Sequence, residues 1–180
     1  MDVFEVPNDD KLLALATALG ARLLEGRHRL VTAESCTGGW IAKTVTDIAG
    51  SSDWFGCGLA AYSYEAKQAL LGVRPETLEH HGAVSRETVI EMVSGALSHT
   101  GATVAVAVTG IAGPGGGTQD KPVGTVWIGV ALSQPRETRA VVCRFLGGRD
   151  MVKTFAAITA IDLVRRRLID APWDVDWIRR

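Results

Sequence analysis

The chain has almost no excess charge: 19 Lys and Arg face 20 Asp and Glu, a net charge of −1 over 180 residues. No global basic field exists to hold a polyanion, which sets nucleic acid aside as the main partner. Long hydrophobic runs are missing as well; the longest reach about eight residues, against the ~20 needed to span a bilayer, so no membrane partner is expected. The opening MDVFEVPNDD is acidic and has neither a basic n-region nor an apolar h-region, so no signal peptide is expected. Cysteine is scarce, with Cys36, Cys57 and Cys143 far apart, odd in number and without a CxxC pair. That argues against a disulfide framework and favours a reducing cytoplasm. No cluster of His, Cys and carboxylates has ligand spacing, so neither a metal nor a cofactor is expected.

What is present reads as one globular domain over residues 1–180, with a peripheral tail from about 172. Hydrophobic residues make up 47% and charged residues 22%, enough apolar sequence to offset the entropy of ordering a core. Glycine is locally enriched: eight of the 20 fall between Gly101 and Gly129, where the backbone must turn sharply or approach something closely.

The hydrophobic periodicity alternates between helix and strand. Asp9 or Asp10 can cap a first helix whose apolar stripe includes Leu12, Ala16, Leu19 and Leu23, ending near Gly26. A short strand, Leu30 to Ala33, runs into Glu34-Ser35-Cys36-Thr37-Gly38-Gly39 and a helix carrying Trp40, Ile41 and Val45. Residues 54–64 look extended, with glycines that mark a bulge or close approach. Short helices follow over 65–71 and from Pro75, and Ser85 caps another through about Ser98. Residues 103–108 form a buried central strand; 125–132 and 138–145 form two more, joined by a turn short enough for antiparallel pairing. A long helix from Arg149 to Ile169 closes the pattern. The architecture expected is α/β: a three-layer α/β/α sandwich on a mixed sheet of about five strands.

Three loops draw the functional reading, because sites in open α/β sheets collect beyond the carboxyl ends of strands. In the first, residues 34–39, a hydroxyl and a thiol precede two glycines at a helix start, where free N–H groups can bind an anion or an oxyanion. Alternatively, Ser35 or Thr37 simply caps the helix. In the second, Lys67 follows Tyr62-Ser63-Tyr64 on a short helix among apolar residues. If buried, its pKa falls and it can serve as base to a hydroxyl; otherwise it is a solvated lysine beside Glu65. The third, Thr109 to Gly124, follows the most buried strand, and its glycines can cradle a phosphate or supply oxyanion donors. Cys36 is an alternative nucleophile to Ser35, but none of His28, His80, His81 or His99 is placed to pair with it. The run Arg165-Arg166-Arg167 suits a helix C-terminus, and the tail aromatics Trp173 and Trp177 favour a contact on the body or in a homo-oligomer.

Taken together, TAESCTGG (32–39), YSYEAKQALLGV (62–73), GAVSRETVIEM (82–92), TGIAGPGGGTQDKPVGTVWIG (109–129) and FLGGRDMVK (145–153) resemble the CinA C-terminal domain family over roughly residues 10–170. The resemblance implies an α/β/α layer structure with a mixed sheet. It also implies hydrolysis of the carboxamide of nicotinamide mononucleotide, giving nicotinic acid mononucleotide and ammonia. On this reading Ser35 is the nucleophile, Lys67 the base and Tyr62 a relay or orienting group. Amides near Thr37, Gly38, Gly39 or Gly110 would stabilise the oxyanion, and Thr109 would bond the carboxamide. Arg149 and the loop containing Gly113, Gly115 and Gly116 would take the phosphate of this small-molecule nucleotide. Two alternatives stay open: a non-catalytic binding or regulatory module linked to competence or DNA damage, and a hydrolase of another amide-bearing nucleotide. One departure is Tyr64, where many relatives are expected to carry asparagine.

Overall fold

The computed structural model describes residues 9–173. Helix α1 (Asp9–Glu25) leads into strand β1 (Leu30–Glu34), then α2 (Trp40–Thr46), a 3-10 turn (Ser51–Asp53) and β2 (Phe55–Ala60). Helices α3 (Tyr64–Leu71), α4 (Pro75–His81) and α5 (Arg86–Thr100) precede β3 (Val104–Gly110). Strands β4 (Thr125–Leu132) and β5 (Glu137–Arg144) and helix α6 (Arg149–Leu168) complete the order. The expected extended stretch 54–64 is shorter than anticipated. Ser63 caps α3 by accepting the Ala66 N–H at 3.1 Å, so the helix begins at Tyr64.

The five strands form one mixed sheet in the order β2-β1-β3-β4-β5. β1 is parallel to β2 and β3, whereas β3–β4 and β4–β5 are antiparallel. The side-chain period of two divides the central strand between two cores. Val104, Val106 and Val108 pack with α1, α2 and α6, while Ala105 and Ala107 pack with α3, α4 and α5. Alanine on the second face matters because α5 lies close: a Cβ on Gly129 would stand 3.2 Å from the Val89 carbonyl oxygen. β5 forms one edge of the sheet, and only Cys143 of its eight residues is buried, which matches its more polar sequence.

Leaving β1, the chain crosses to β2 on one side and then returns to β3 on the other. The carboxyl ends of β1 and β3 therefore flank the topological switch point, where a site is expected in this class of sheet. Elsewhere, the arginine run is absorbed into ion pairs: Arg165 and Arg166 each reach Asp162 at 2.6 Å, and Arg167 reaches Glu137 at 2.5 Å. Trp173 packs on the protein's own body, with Arg139 5.9 Å from its ring centroid, whereas Trp177 lies outside the described residues. No helix among the described residues is long and apolar enough to cross a membrane.

Candidate active site

Ser35 continues the β1 register by one residue, its N–H donating to the Val108 carbonyl of β3 at 2.9 Å. The residue before it organises the loop. Leu30, Thr32 and Glu34 share one face of β1 by the strand period, which turns the Glu34 side chain toward α2. Its carboxylate is buried and accepts the N–H groups of Gly39 at 3.1 Å, Ile41 at 3.0 Å and Ala42 at 2.8 Å. The Thr32 hydroxyl adds a fourth bond at 3.3 Å. The α2 cap is thus a carboxylate from the preceding strand, which corrects the expectation that Ser35 or Thr37 caps this helix. Gly38 and Gly39 adopt φ of +66° and +93°, the left-handed turn that lets the chain enter α2 so abruptly.

This arrangement narrows the oxyanion donors. Gly39 N–H is held by Glu34, and Gly38 N–H donates to the Ser35 carbonyl at 3.1 Å. The amides of Cys36 and Thr37 have no hydrogen-bond partner in another residue among the described residues, and they directly follow the Ser35 side chain. Gly110, the other expected donor, ends β3 opposite Val126 in a non-hydrogen-bonded pair beside the Ile111 N–H to Thr125 O bond, so its N–H is not committed to β4.

Lys67 sits one turn before Leu71 on the inward stripe of α3, and both side chains are fully buried. Its Nζ lies 3.0 Å from Ser35 Oγ and 2.9 Å from each of the carbonyl oxygens of Ala61 and Tyr62. Burial pushes the amine below the ordinary lysine value, opposed weakly by the nearby Cys36. Two carbonyls can occupy the two N–H bonds of a neutral amine. As an ammonium Lys67 donates to Ser35 Oγ as well, whereas the neutral amine turns its lone pair to the Ser35 hydroxyl proton. The alternative of a solvated Lys67 is therefore overturned.

Cys36 is also resolved. Its thiol is buried and pushed up to about 12, chiefly by desolvation, against which its own backbone N–H acts next, followed by a rise from Glu34 and lowering by Lys67 and Lys153. A neutral, enclosed thiol has little nucleophilic character near neutral pH.

The remaining expected residues divide into those the fold brings to this end of the sheet and those committed elsewhere. Tyr62 contributes its carbonyl to Lys67, but its exposed phenol takes a hydrogen bond from Arg149 at 3.3 Å and none joins it to Ser35 or Lys67. Arg149 also donates to the Gly113 carbonyl at 2.7 Å, so it ties the glycine loop to Tyr62. Thr109 is buried and donates to the Ala83 carbonyl at 2.7 Å, a contact that fixes the turn before α5. Tyr64 accepts the Ala83 N–H at 3.3 Å on the same turn. The glycine loop has a tied neck: Gly124 N–H donates to Ile111 O at 2.8 Å, and Ile111 N–H to Thr125 O at 2.9 Å. Within it, Gly113 and Gly116 have φ of +84°, and a Cβ on Gly115 would meet nothing within 4 Å.

Beside Ser35 an open cleft of about 420 Å³ is lined by Thr37, Gly38, Gly39, Trp40, Lys43 and Lys153. Trp40 and Lys153 were not anticipated from the sequence. The available signal was helical spacing, since Lys153 follows Arg149 by four residues on α6. Among the described residues no group of three or more His, Cys, Asp or Glu side chains is placed to hold a metal.

Comparison with known proteins agrees with this geometry. The family model for the CinA C-terminal domain matches residues 12–168. A nicotinamide-nucleotide amidohydrolase PncC of Escherichia coli K12 is 46% identical over 161 residues, covering 89% of this chain and 97% of that protein. The protein of the same name from Enterobacter agglomerans is 48% identical over 162 residues, covering 90% of this chain and 98% of its own. The crystal structure of the competence/damage inducible protein CihA from Agrobacterium tumefaciens superposes with a TM-score of 0.85 at 39% identity, covering 94% of this chain and 99% of that one. With the family model spanning residues 12–168 and relatives matched over nearly their whole length, the chain belongs to the CinA C-terminal domain family.

Proposed function

We propose that this protein is a metal-independent amidohydrolase that removes ammonia from the carboxamide of nicotinamide mononucleotide, leaving nicotinic acid mononucleotide. The observation that carries the reading is the 3.0 Å contact between Ser35 Oγ and a fully buried Lys67 Nζ at the sheet's switch point. The names borne by the relatives supply the substrate. A Ser–Lys pair is a known variant of the serine-hydrolase arrangement.

In the first half-reaction Ser35 Oγ bonds to the carboxamide carbon while its proton passes to the neutral Lys67 amine. The carbonyl oxygen becomes an oxyanion, for which the Cys36 and Thr37 amides, bonded to no other residue among the described residues, are candidate donors. Collapse breaks the C–N bond, and the Lys67 ammonium returns the proton to the departing nitrogen, which leaves as ammonia. Water then attacks the ester carbon with Lys67 as base again, and the Ser35 alkoxide is reprotonated as the acid departs. The partner on this reading is a small-molecule nucleotide, and the three free cysteines support a reducing, cytoplasmic setting.

The test is ammonia release from nicotinamide mononucleotide by wild type and Ser35→Ala, with EDTA present. Wild-type turnover that survives EDTA and falls at least ~10³-fold in the variant is expected. A folded wild-type protein that releases no ammonia would overturn the substrate, and an active Ser35→Ala would overturn the nucleophile.

A further inference from the structure

The cleft beside Ser35 holds groups that the bond-breaking steps leave unused. Its volume of about 420 Å³ lies in the usual range for small-molecule sites, roughly 300–1,000 Å³. Both charged side chains lining it are lysines. Lys43 is held by Asp47 at 2.6 Å, whereas Lys153 forms no ion pair among the described residues. Lys153 Nζ instead stands 5.5 Å from the centroid of the Trp40 ring. Thr37, which also lines the cleft, carries a buried hydroxyl that has no hydrogen-bond partner among the described residues. A buried hydroxyl left unpaired is costly, and a ligand oxygen would relieve that cost.

The glycines keep this space open. A Cβ on Gly39 would meet nothing within 4 Å, and one on Gly38 would meet only Lys153 Nζ at 4.0 Å. Two other expected anion-binding elements are at least partly engaged. The start of α2 holds the Glu34 carboxylate, and Arg149 is bonded to Gly113 and Tyr62. One turn beyond Arg149, the same helix carries Lys153 into the cleft.

We propose that Lys153, together with the Thr37 hydroxyl, binds the 5′-phosphate of the mononucleotide, making the cleft beside Trp40 the phosphomonoester subsite of this amidase. The inference rests on the amidohydrolase reading above. A phosphomonoester carries about −1.5 to −2 charges at neutral pH, and an ammonium in a cleft with no carboxylate among its described lining residues offers it a charge-assisted hydrogen bond. Such a subsite selects mononucleotide over nucleoside, because the unphosphorylated analogue leaves the polar groups unpaired.

The experiment compares wild type with Lys153→Met and Lys153→Arg, using nicotinamide mononucleotide and nicotinamide riboside as substrates. Calorimetric Kd values for the mononucleotide are measured in the Ser35→Ala background to prevent turnover. Lys153→Met is expected to weaken mononucleotide binding about 10- to 100-fold and to lower the kcat/KM preference over the riboside by a similar factor, with Lys153→Arg recovering most of both. An unchanged Kd, or losses equal for the two substrates, would overturn the proposal. A protein that binds the mononucleotide but releases no ammonia would overturn the amidohydrolase reading alone, leaving the Kd comparison to decide Lys153. Absence of binding in the Ser35→Ala protein with Lys153 intact would overturn both.

Discussion

Replacing Lys67 with methionine should separate the chemistry from the fold. The side chain is fully buried, and Nζ bonds Ser35 Oγ and the carbonyls of Ala61 and Tyr62 at 2.9–3.0 Å. Methionine nearly matches its length but donates nothing, so the two carbonyls lose a partner at about 1–3 kcal/mol each. Against this, the penalty for enclosing an ionisable amine, several kcal/mol when charged, disappears. The two contributions are of similar size, and the net change in stability is expected to stay within about 2 kcal/mol. Loss of the base is not offset, and kcat should fall about 10²- to 10⁴-fold, or roughly 2.7–5.4 kcal/mol of barrier. The pH dependence carries the sharper signature. Burial holds the folded-state amine below the ~10.4 of an unfolded lysine, so between those values the unfolded chain binds more protons. Wild-type stability therefore rises with pH through that window and is lowest below the folded-state value; Lys67→Met loses the slope. The rate of ammonia release rises as the same amine deprotonates, placing the rising limb below ordinary lysine. Thermal unfolding and initial rates across pH test both. A variant retaining more than a tenth of kcat with the same limb would refute Lys67 as the base.

Two further substitutions probe the fold and the choice of nucleophile. Gly95→Ala is expected to destabilise: helix propensity favours alanine by about 1 kcal/mol, but the new Cβ would stand 1.7 Å from the Leu71 carbonyl oxygen. Overpacking against backbone costs about 1–3 kcal/mol, so Tm should fall by several degrees, and a rise would show that α3 and α5 separate freely. Cys36→Ala should keep kcat within a few-fold in the ammonia assay, since a thiol pushed up to about 12 supplies almost no thiolate near neutral pH. Loss of activity in a folded Cys36→Ala protein would return the nucleophile to that residue.

The sheet was legible because its central strand carries an unambiguous pattern. The run from Thr103 to Val108 is long, apolar and rich in β-branched residues, as expected of a strand covered on both faces, and β3 is enclosed by both helix layers. The short turn before Glu137 likewise announced the antiparallel β4–β5 pair. Boundaries were less legible where caps compete with extended backbone, as at Ser63, where one side-chain hydrogen bond starts α3 within the stretch 54–64 that looks like strand. The pairing of Ser35 with Lys67 carries no local signal at all, since 32 residues separate them and only the crossover from β1 through β2 to α3 brings them together. Family resemblance, not spacing, supplied that pair. Burial of Lys67 had a weak trace, because Lys67 and Leu71 occupy one helical stripe.

Glu34 was the larger omission, and its position explains how the nucleophile loop is built. Period-two alternation from Leu30 through Thr32 already assigns Glu34 to the α2 side, where three helix N–H groups await an acceptor. A carboxylate there does two things at once. It draws α2 tightly onto the end of β1, forcing the left-handed turn at Gly38 and Gly39 and fixing Ser35 against Val108. It also neutralises the positive end of the helix, which would otherwise be the natural seat for a substrate anion. With that seat filled, anion recognition falls to side-chain charge. Two lysines close to the loop have distinct environments: Lys67 is enclosed, with its pKa lowered by burial, while Lys153 lines an open cleft against Trp40. A base must be able to lose its charge, and a phosphate ligand must keep it. On the proposed reading, enclosure suits Lys67 to the first task and the open cleft suits Lys153 to the second, so environment separates two residues of the same type.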